Sequence, residues 1–122
     1  MFDAATAPNG LDLFRGEDLV APPLLWPEVR SALHESVWRG VLSATLAAAA
    51  LRELGSGRIR ARAPARLGAE AWRIADEFGW AKTYDAEYVA LAGLLGCRLV
   101  TTDARLRRAA ARLGFVIGPT EV

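Results

Sequence analysis

The chain is poor in the residues that most often advertise chemistry: it has one cysteine, one histidine and basic residues that are nearly all arginine. Cys97 has no possible partner within the chain, so a disulfide framework is excluded and a reducing compartment is implied. Its place in an apolar stretch predicts a buried structural thiol rather than a nucleophile. His34 falls on the solvent side of its helix by period, which leaves no histidine-centred catalysis to propose. No apolar run approaches membrane length; the longest alanine-rich stretch, Ala47 to Leu51, is far too short. The N-terminus shows no charged region followed by a long apolar segment. A soluble, cytoplasmic protein with no membrane contact is expected. With net charge +1, the overall balance gives no general signal for nucleic acid either. Repeats and low-complexity linkers are also lacking.

What is present suits one domain over residues 1–122. A chain of this length buries about two thirds of its unfolded surface and needs no disulfide or structural metal to fold. Arginine is locally concentrated: Arg58, Arg60 and Arg62 alternate, and Arg105, Arg107, Arg108 and Arg112 crowd one C-terminal segment. Four tryptophans, Trp26, Trp38, Trp72 and Trp80, are many for such a chain. Each fits core packing as well as a partner surface; Trp38, next to Arg39 and Gly40 at a helix end, is the candidate interface anchor.

Taken in order, residues 1–10 hold at most a short strand at Phe2 to Ala4, and Pro8-Asn9-Gly10 is a turn signal. Leu11 to Phe14 suits a helical turn closed by Gly16. Asp18 to Ala21 reads as a strand running into Pro22-Pro23. A helix reaching Arg39 follows, with Val29, Ala32, Leu33 and Val37 on one face and Pro27 in the first turn. Ser43 is placed to cap a second helix, Ala44 to Leu54, ended by Gly55-Ser56-Gly57. Arg58 to Ala63 alternates with period two, as an edge strand would. Ala65 to Phe78 is helical, with Leu67, Ala71, Ile74, Ala75 and Phe78 inward and Gly79 as its stop. After the unit described next, Ala104 to Leu113 reads as a helix stopped by Gly114, and Phe115 to Ile117 as a last strand. This order, mostly strand then helix with one pair of consecutive helices, predicts an α/β fold with a parallel sheet covered on both faces.

The stretch from Thr83 to Leu106 organises the rest. Ala86, Val89, Ala90 and Gly93 recur with helical spacing, Leu91, Leu94 and Leu95 widen the apolar surface, and Gly96 suits a left-handed cap. Cys97 to Thr102 should follow as a buried strand that ends at Asp103. A helix of about 11 residues climbs about 16 Å, and five or six strand residues return about 16–20 Å. Asp85 and Asp103 are therefore expected at one level, the carboxyl edge of the strands where such folds place their chemistry. Two carboxylates gathered there repel unless a cation lies between them. Glu28 would join them if its preceding strand is parallel to theirs. Taken singly, Asp85 also suits the positive end of its helix and Asp103 also suits a helix cap.

Three segments, LVAPPLLWPEVRSAL at 19–33, YDAEYVALAGLLG at 84–96 and LVTTDARLRRAAARLG at 99–114, together resemble a PIN domain. Within that family they are similar to the ribonuclease toxins of VapC-type toxin–antitoxin pairs. The resemblance covers residues 11–118 and implies a three-layer α/β/α sandwich with a mostly parallel central sheet. It further implies a metal-dependent endoribonuclease in which Glu28, Asp85 and Asp103 hold Mg²⁺ or Mn²⁺ and Thr101 supplies a nearby hydroxyl. A cognate antitoxin, an RNA substrate and a homodimer are its implied partners, and Arg105 and Arg108 are placed to meet RNA phosphate. The front departs from the family pattern. Asp3 resembles the aspartate that ends the family's first strand, but that strand is clipped and Ala4 to Gly10 stands where a helix should be. Either the strand is shortened with Asp3 as a further ligand, or it and the helix are missing from this chain. The second possibility carries an alternative function: a degenerate PIN domain that binds RNA or protein without cutting.

Overall fold

The computed structural model describes residues 16–118, so the expectations for Phe2 to Ala4, for Leu11 to Phe14 and for Asp3 lie outside the described residues. These residues fall into two compact units, one ending at Ala61 and the other beginning at Arg62.

In the first unit, strand β1 (Leu19–Ala21) is followed by helix α1 (Leu25–Trp38), helix α2 (Ala44–Leu54) and strand β2 (Ile59–Ala61). The two strands pair in parallel, with Leu19 opposite Ile59 and Ala21 opposite Ala61. Parallel pairing requires a crossover, and the two helices provide it. Pro27 sits in the first turn of α1, where its missing N–H costs least. The helix buries Leu25, Val29 and Leu33, the i, i+4, i+8 stripe of its apolar face. Ser43 caps α2 as its sequence position predicts, its hydroxyl accepting from the Leu46 N–H at 3.1 Å. The helix then buries Ala47, Ala50 and Leu54 and packs against α1. Trp26 donates its indole N–H to the Leu54 carbonyl at 3.4 Å, tying the start of one helix to the end of the other. At the strand pair, Arg60 grips both oxygens of Asp18 at 2.9 and 2.8 Å, and Arg58 donates to the Glu17 carbonyl at 2.9 Å. The alternating arginines thus fasten the edge of β2 to the approach to β1.

In the second unit, helix α3 (Leu67–Phe78) is followed by helix α4 (Tyr84–Leu95), strand β3 (Leu99–Val100), helix α5 (Ala104–Ala109), a 3₁₀ turn (Ala111–Leu113) and strand β4 (Val116–Ile117). The α3–α4 contact is the most extensive in the described residues. Ala71, Ile74 and Ala75 are buried on α3, and Ala86 with the run Tyr88 to Ala92 on α4. Small side chains on both helices permit a close approach, and Ile74 and Val89 are each worth about 1.5–3 kcal/mol of buried apolar surface. Gly79 and Gly96 close the two helices with φ of 71° and 67°, left-handed values that glycine adopts without strain. Strands β3 and β4 are parallel, with Leu99 opposite Val116 and Val100 opposite Ile117.

Several expectations need correction. Cys97 is exposed and lies outside β3, because pairing with β4 begins only at Leu99, whose N–H reaches the Phe115 carbonyl at 2.8 Å. Gly93 is exposed as well, though a Cβ at this position would point at the Phe115 ring. The helix expected to run to Leu113 ends at Ala109: Leu106 and Ala110 anchor one turn, nothing apolar anchors a second, and the chain tightens into the 3₁₀ turn before Gly114. Consecutive helices occur twice, at α1–α2 and at α3–α4. The chain is α/β with parallel strands, as expected, and among the described residues the strands form two two-stranded sheets, one in each unit.

Candidate functional site

The best-defined polar corner of the molecule lies where β3 gives way to α5. Thr101 is the one polar side chain of the described core, 1% exposed, and its N–H continues the strand ladder to the Ile117 carbonyl at 3.0 Å. Its Oγ1 accepts the Asp103 N–H at 3.0 Å, a short side-chain turn that bends the chain out of the strand. Asp103 itself is in extended conformation and caps α5. Its Oδ1 accepts the N–H groups of Arg105 at 2.9 Å and Leu106 at 3.2 Å. These bonds satisfy donors that a helix start would otherwise leave unpaired. They also fix the carboxylate, while Oδ2 takes no part in them. The result is a half-buried carboxylate oriented by two bonds to Oδ1, on a residue whose main chain is held by a third, at the carboxyl end of a parallel strand.

Asp85 stands in the first turn of α4 together with Glu87. Thr83, the residue before that helix, makes no side-chain cap, so the helix start favours negative charge by its dipole. Asp85 is half-buried. Helix α4 and strand β3 are consecutive, joined through the left-handed turn at Gly96, and pack against each other. Asp85, Thr101 and Asp103 therefore belong to one unit.

Glu28 belongs to the other unit. It lies in the first turn of α1, half-buried, and its N–H bonds to the Leu24 carbonyl at 3.2 Å. Asp3 is outside the described residues. Within neither unit do three or more His, Cys, Asp or Glu side chains among the described residues form a group that could hold a metal ion. The donor chemistry nevertheless suits a hard divalent cation, since every candidate ligand is a carboxylate.

Basic side chains flank this corner. Arg105 and Arg108 are both exposed on α5, one turn apart. Arg112 is otherwise engaged: it pairs with Glu77 at 3.3 Å and lies 4.3 Å over the Phe78 ring, which in turn stacks on Trp80 with centroids 5.0 Å apart. On the solvent face of α3, Arg73 bridges Glu70 and Glu77. The hydrogen bond from Arg73, helped by its charge, holds the Glu70 carboxyl below the usual range, and the charge of Arg66 adds to the effect.

A second feature lies on α1. Arg30, Ser31, His34, Glu35 and Trp38 line an open pocket of about 560 Å³. Sequence reasoning singled out His34 as solvated and Trp38 as an interface anchor, and His34 is indeed exposed. It missed that Arg30, His34 and Trp38 recur at i, i+4, i+8 and so share one face.

The family model described as "PIN domain" matches residues 6–112 of the chain. No curated protein matches it.

Proposed function

Because this chain belongs to the PIN domain family, we propose that it is a metal-dependent endoribonuclease of toxin type, cutting RNA phosphodiesters at a carboxylate-held Mg²⁺ or Mn²⁺. PIN domains are in general metal-dependent nucleases, so a hydrolase acting on nucleic acid is the coarser statement that the family itself carries. The observation that bears most weight is the span of the match, which takes in Glu28, Asp85, Thr101 and Asp103 and crosses from one unit into the other. That span also supports treating residues 1–122 as a single PIN-like domain.

In this proposal Asp85 and Asp103 are ligands, Glu28 completes the set, and Asp3 is a further candidate. The bound ion would supply an activated water and neutralise charge on the phosphodiester. The chain's own residues do the positioning. Thr101 holds the Asp103 main-chain N–H and the start of α5 holds its Oδ1, which leaves Oδ2 for a ligand without a rotamer search. Arg105 and Arg108 give phosphate-directed charge beside it. Inhibition by a cognate antitoxin and assembly as a homodimer belong to the same proposal. Exposed apolar side chains at Leu46 and Leu51, both on α2, support a protein-binding surface there. Among the described residues no helix is long and apolar enough to cross a membrane, and we place the activity in the cytoplasm.

The test is cleavage of end-labelled RNA by purified protein with Mg²⁺ or Mn²⁺, with chelator, and with Asp85→Asn or Asp103→Asn. The proposal requires cleavage that chelator stops and either substitution reduces by orders of magnitude. Cleavage indifferent to both substitutions would refute it, and RNA binding without any cleavage would favour the degenerate, non-catalytic domain.

A further inference from the structure

We propose that the Arg30–His34–Trp38 face of α1 is a binding subsite for single-stranded RNA, a proposal that rests on the reading of this chain as a protein that acts on RNA. Trp38 is 79% exposed on the last turn of its helix. Leaving so large an apolar ring in water is unfavourable, and it lines a concave surface rather than standing alone. The side chains that line this surface beside the ring end in polar groups: a guanidinium, an imidazole, a hydroxyl and one carboxylate. That carboxylate is already answered, since Glu35 pairs with Arg39 at 2.8 Å one turn further on. Arg30 has no ion pair among the described residues, so the net local field favours an anion. Arg30 and Trp38 are two helical steps of about 6 Å apart along one face, with His34 between them.

A flat π-face beside an unpaired guanidinium is the combination that holds single-stranded nucleic acid, where bases stack on aromatics and phosphates meet Arg. A protein interface core of similar area would instead be lined by several apolar side chains. The subsite therefore takes one base on Trp38 and the adjoining phosphate on Arg30. His34 offers a ring nitrogen between them. Such a contact would hold a strand without reading much of its sequence.

The test is fluorescence anisotropy of a labelled single-stranded oligouridylate, titrated with the Asp103→Asn chain so that cleavage does not interfere. Adding Trp38→Ala should weaken binding roughly 5- to 100-fold, and Trp38→Phe should restore much of it. Adding Arg30→Ala should lower the slope of log affinity against log salt by about one. Trp72→Ala, at a comparably exposed ring in the other unit, should change nothing. Trp38 is exposed, so its truncation leaves the core intact, and a thermal melt confirms folding. Binding unchanged by Trp38→Ala overturns the subsite, as does an Asp103→Asn chain that binds no oligouridylate. Loss of self-association in Trp38→Ala with RNA binding unchanged would assign the face to a protein partner instead. Metal-dependent cleavage is measured separately on the unsubstituted chain, so the nuclease reading survives or fails independently of this one.

Discussion

Asp103 has two roles that substitution can separate. As a cap, its Oδ1 accepts two main-chain N–H groups at the start of α5. Alanine removes both bonds, and loss of such a cap costs about 1 kcal/mol, within a range of about 0.5–2. For a chain of this size that lowers the melting temperature by about 3–6 °C. Asparagine keeps an oxygen in the same place and ranks with aspartate as a cap, so it forfeits mainly the charge at the helix start. On a helix as short as Ala104–Ala109 that charge contributes no more than about 0.3–1 kcal/mol. As a metal ligand, however, the residue needs its negative charge, and asparagine is nearly as damaging as alanine. Circular dichroism melts and Mn²⁺ titrations of the two variants should therefore diverge: a clear difference in stability, none in metal binding. Equal destabilisation by both variants would refute the capping argument. Mn²⁺ binding retained by Asp103→Asn would refute the ligand assignment.

Leu33→Ala, at a side chain 2% exposed on α1, should cost about 2–5 kcal/mol and lower the urea midpoint at nearly unchanged slope. Gly96→Ala, at φ 67° with open space around the added methyl, should destabilise by about 1 kcal/mol from backbone strain alone. Gly68→Ala, also in open space but within helix α3 and without a positive φ, should stabilise by up to about 1 kcal/mol; melts of the pair should move in opposite directions. For Glu70 the folded carboxyl titrates below its ordinary value of 4.5, chiefly through the Arg73 hydrogen bond. Its contribution is present above the unfolded value and lost as pH falls through the folded one, so Arg73→Gln should raise the Glu70 midpoint seen by NMR and flatten stability in that acid window.

Local signals wrote much of the helical framework plainly. Ser43 as a cap, Gly79 and Gly96 as left-handed stops, and the stripes through Leu33 and Ile74 are set by residues within a turn or two of one another. What depends on distant pairing was harder to read. The length of β3 is decided by where Val116 and Ile117 lie, not by the β-favouring residues from Cys97 to Thr102, so the strand never reaches Cys97. The arginine-rich segment looked like a longer helix because charge patterns say little about where packing stops; only Leu106 and Ala110 hold it. At the site, Asp85, Thr101 and Asp103 were legible as an acid, a strand end and an acid before the structure showed Thr101 and Asp103 bonded in one corner. The α1 face was not, because Arg30, His34 and Trp38 are ordinary one by one and acquire meaning only as a shared lining.

The most direct test of the central claim is calorimetric titration of Mn²⁺ into the chain and into its Asp85→Asn and Asp103→Asn variants, with folding checked in each. The account predicts saturable binding to the unsubstituted protein that either substitution weakens by at least tenfold. Folded protein that binds no Mn²⁺, or variants that bind it as well as the parent, would contradict it.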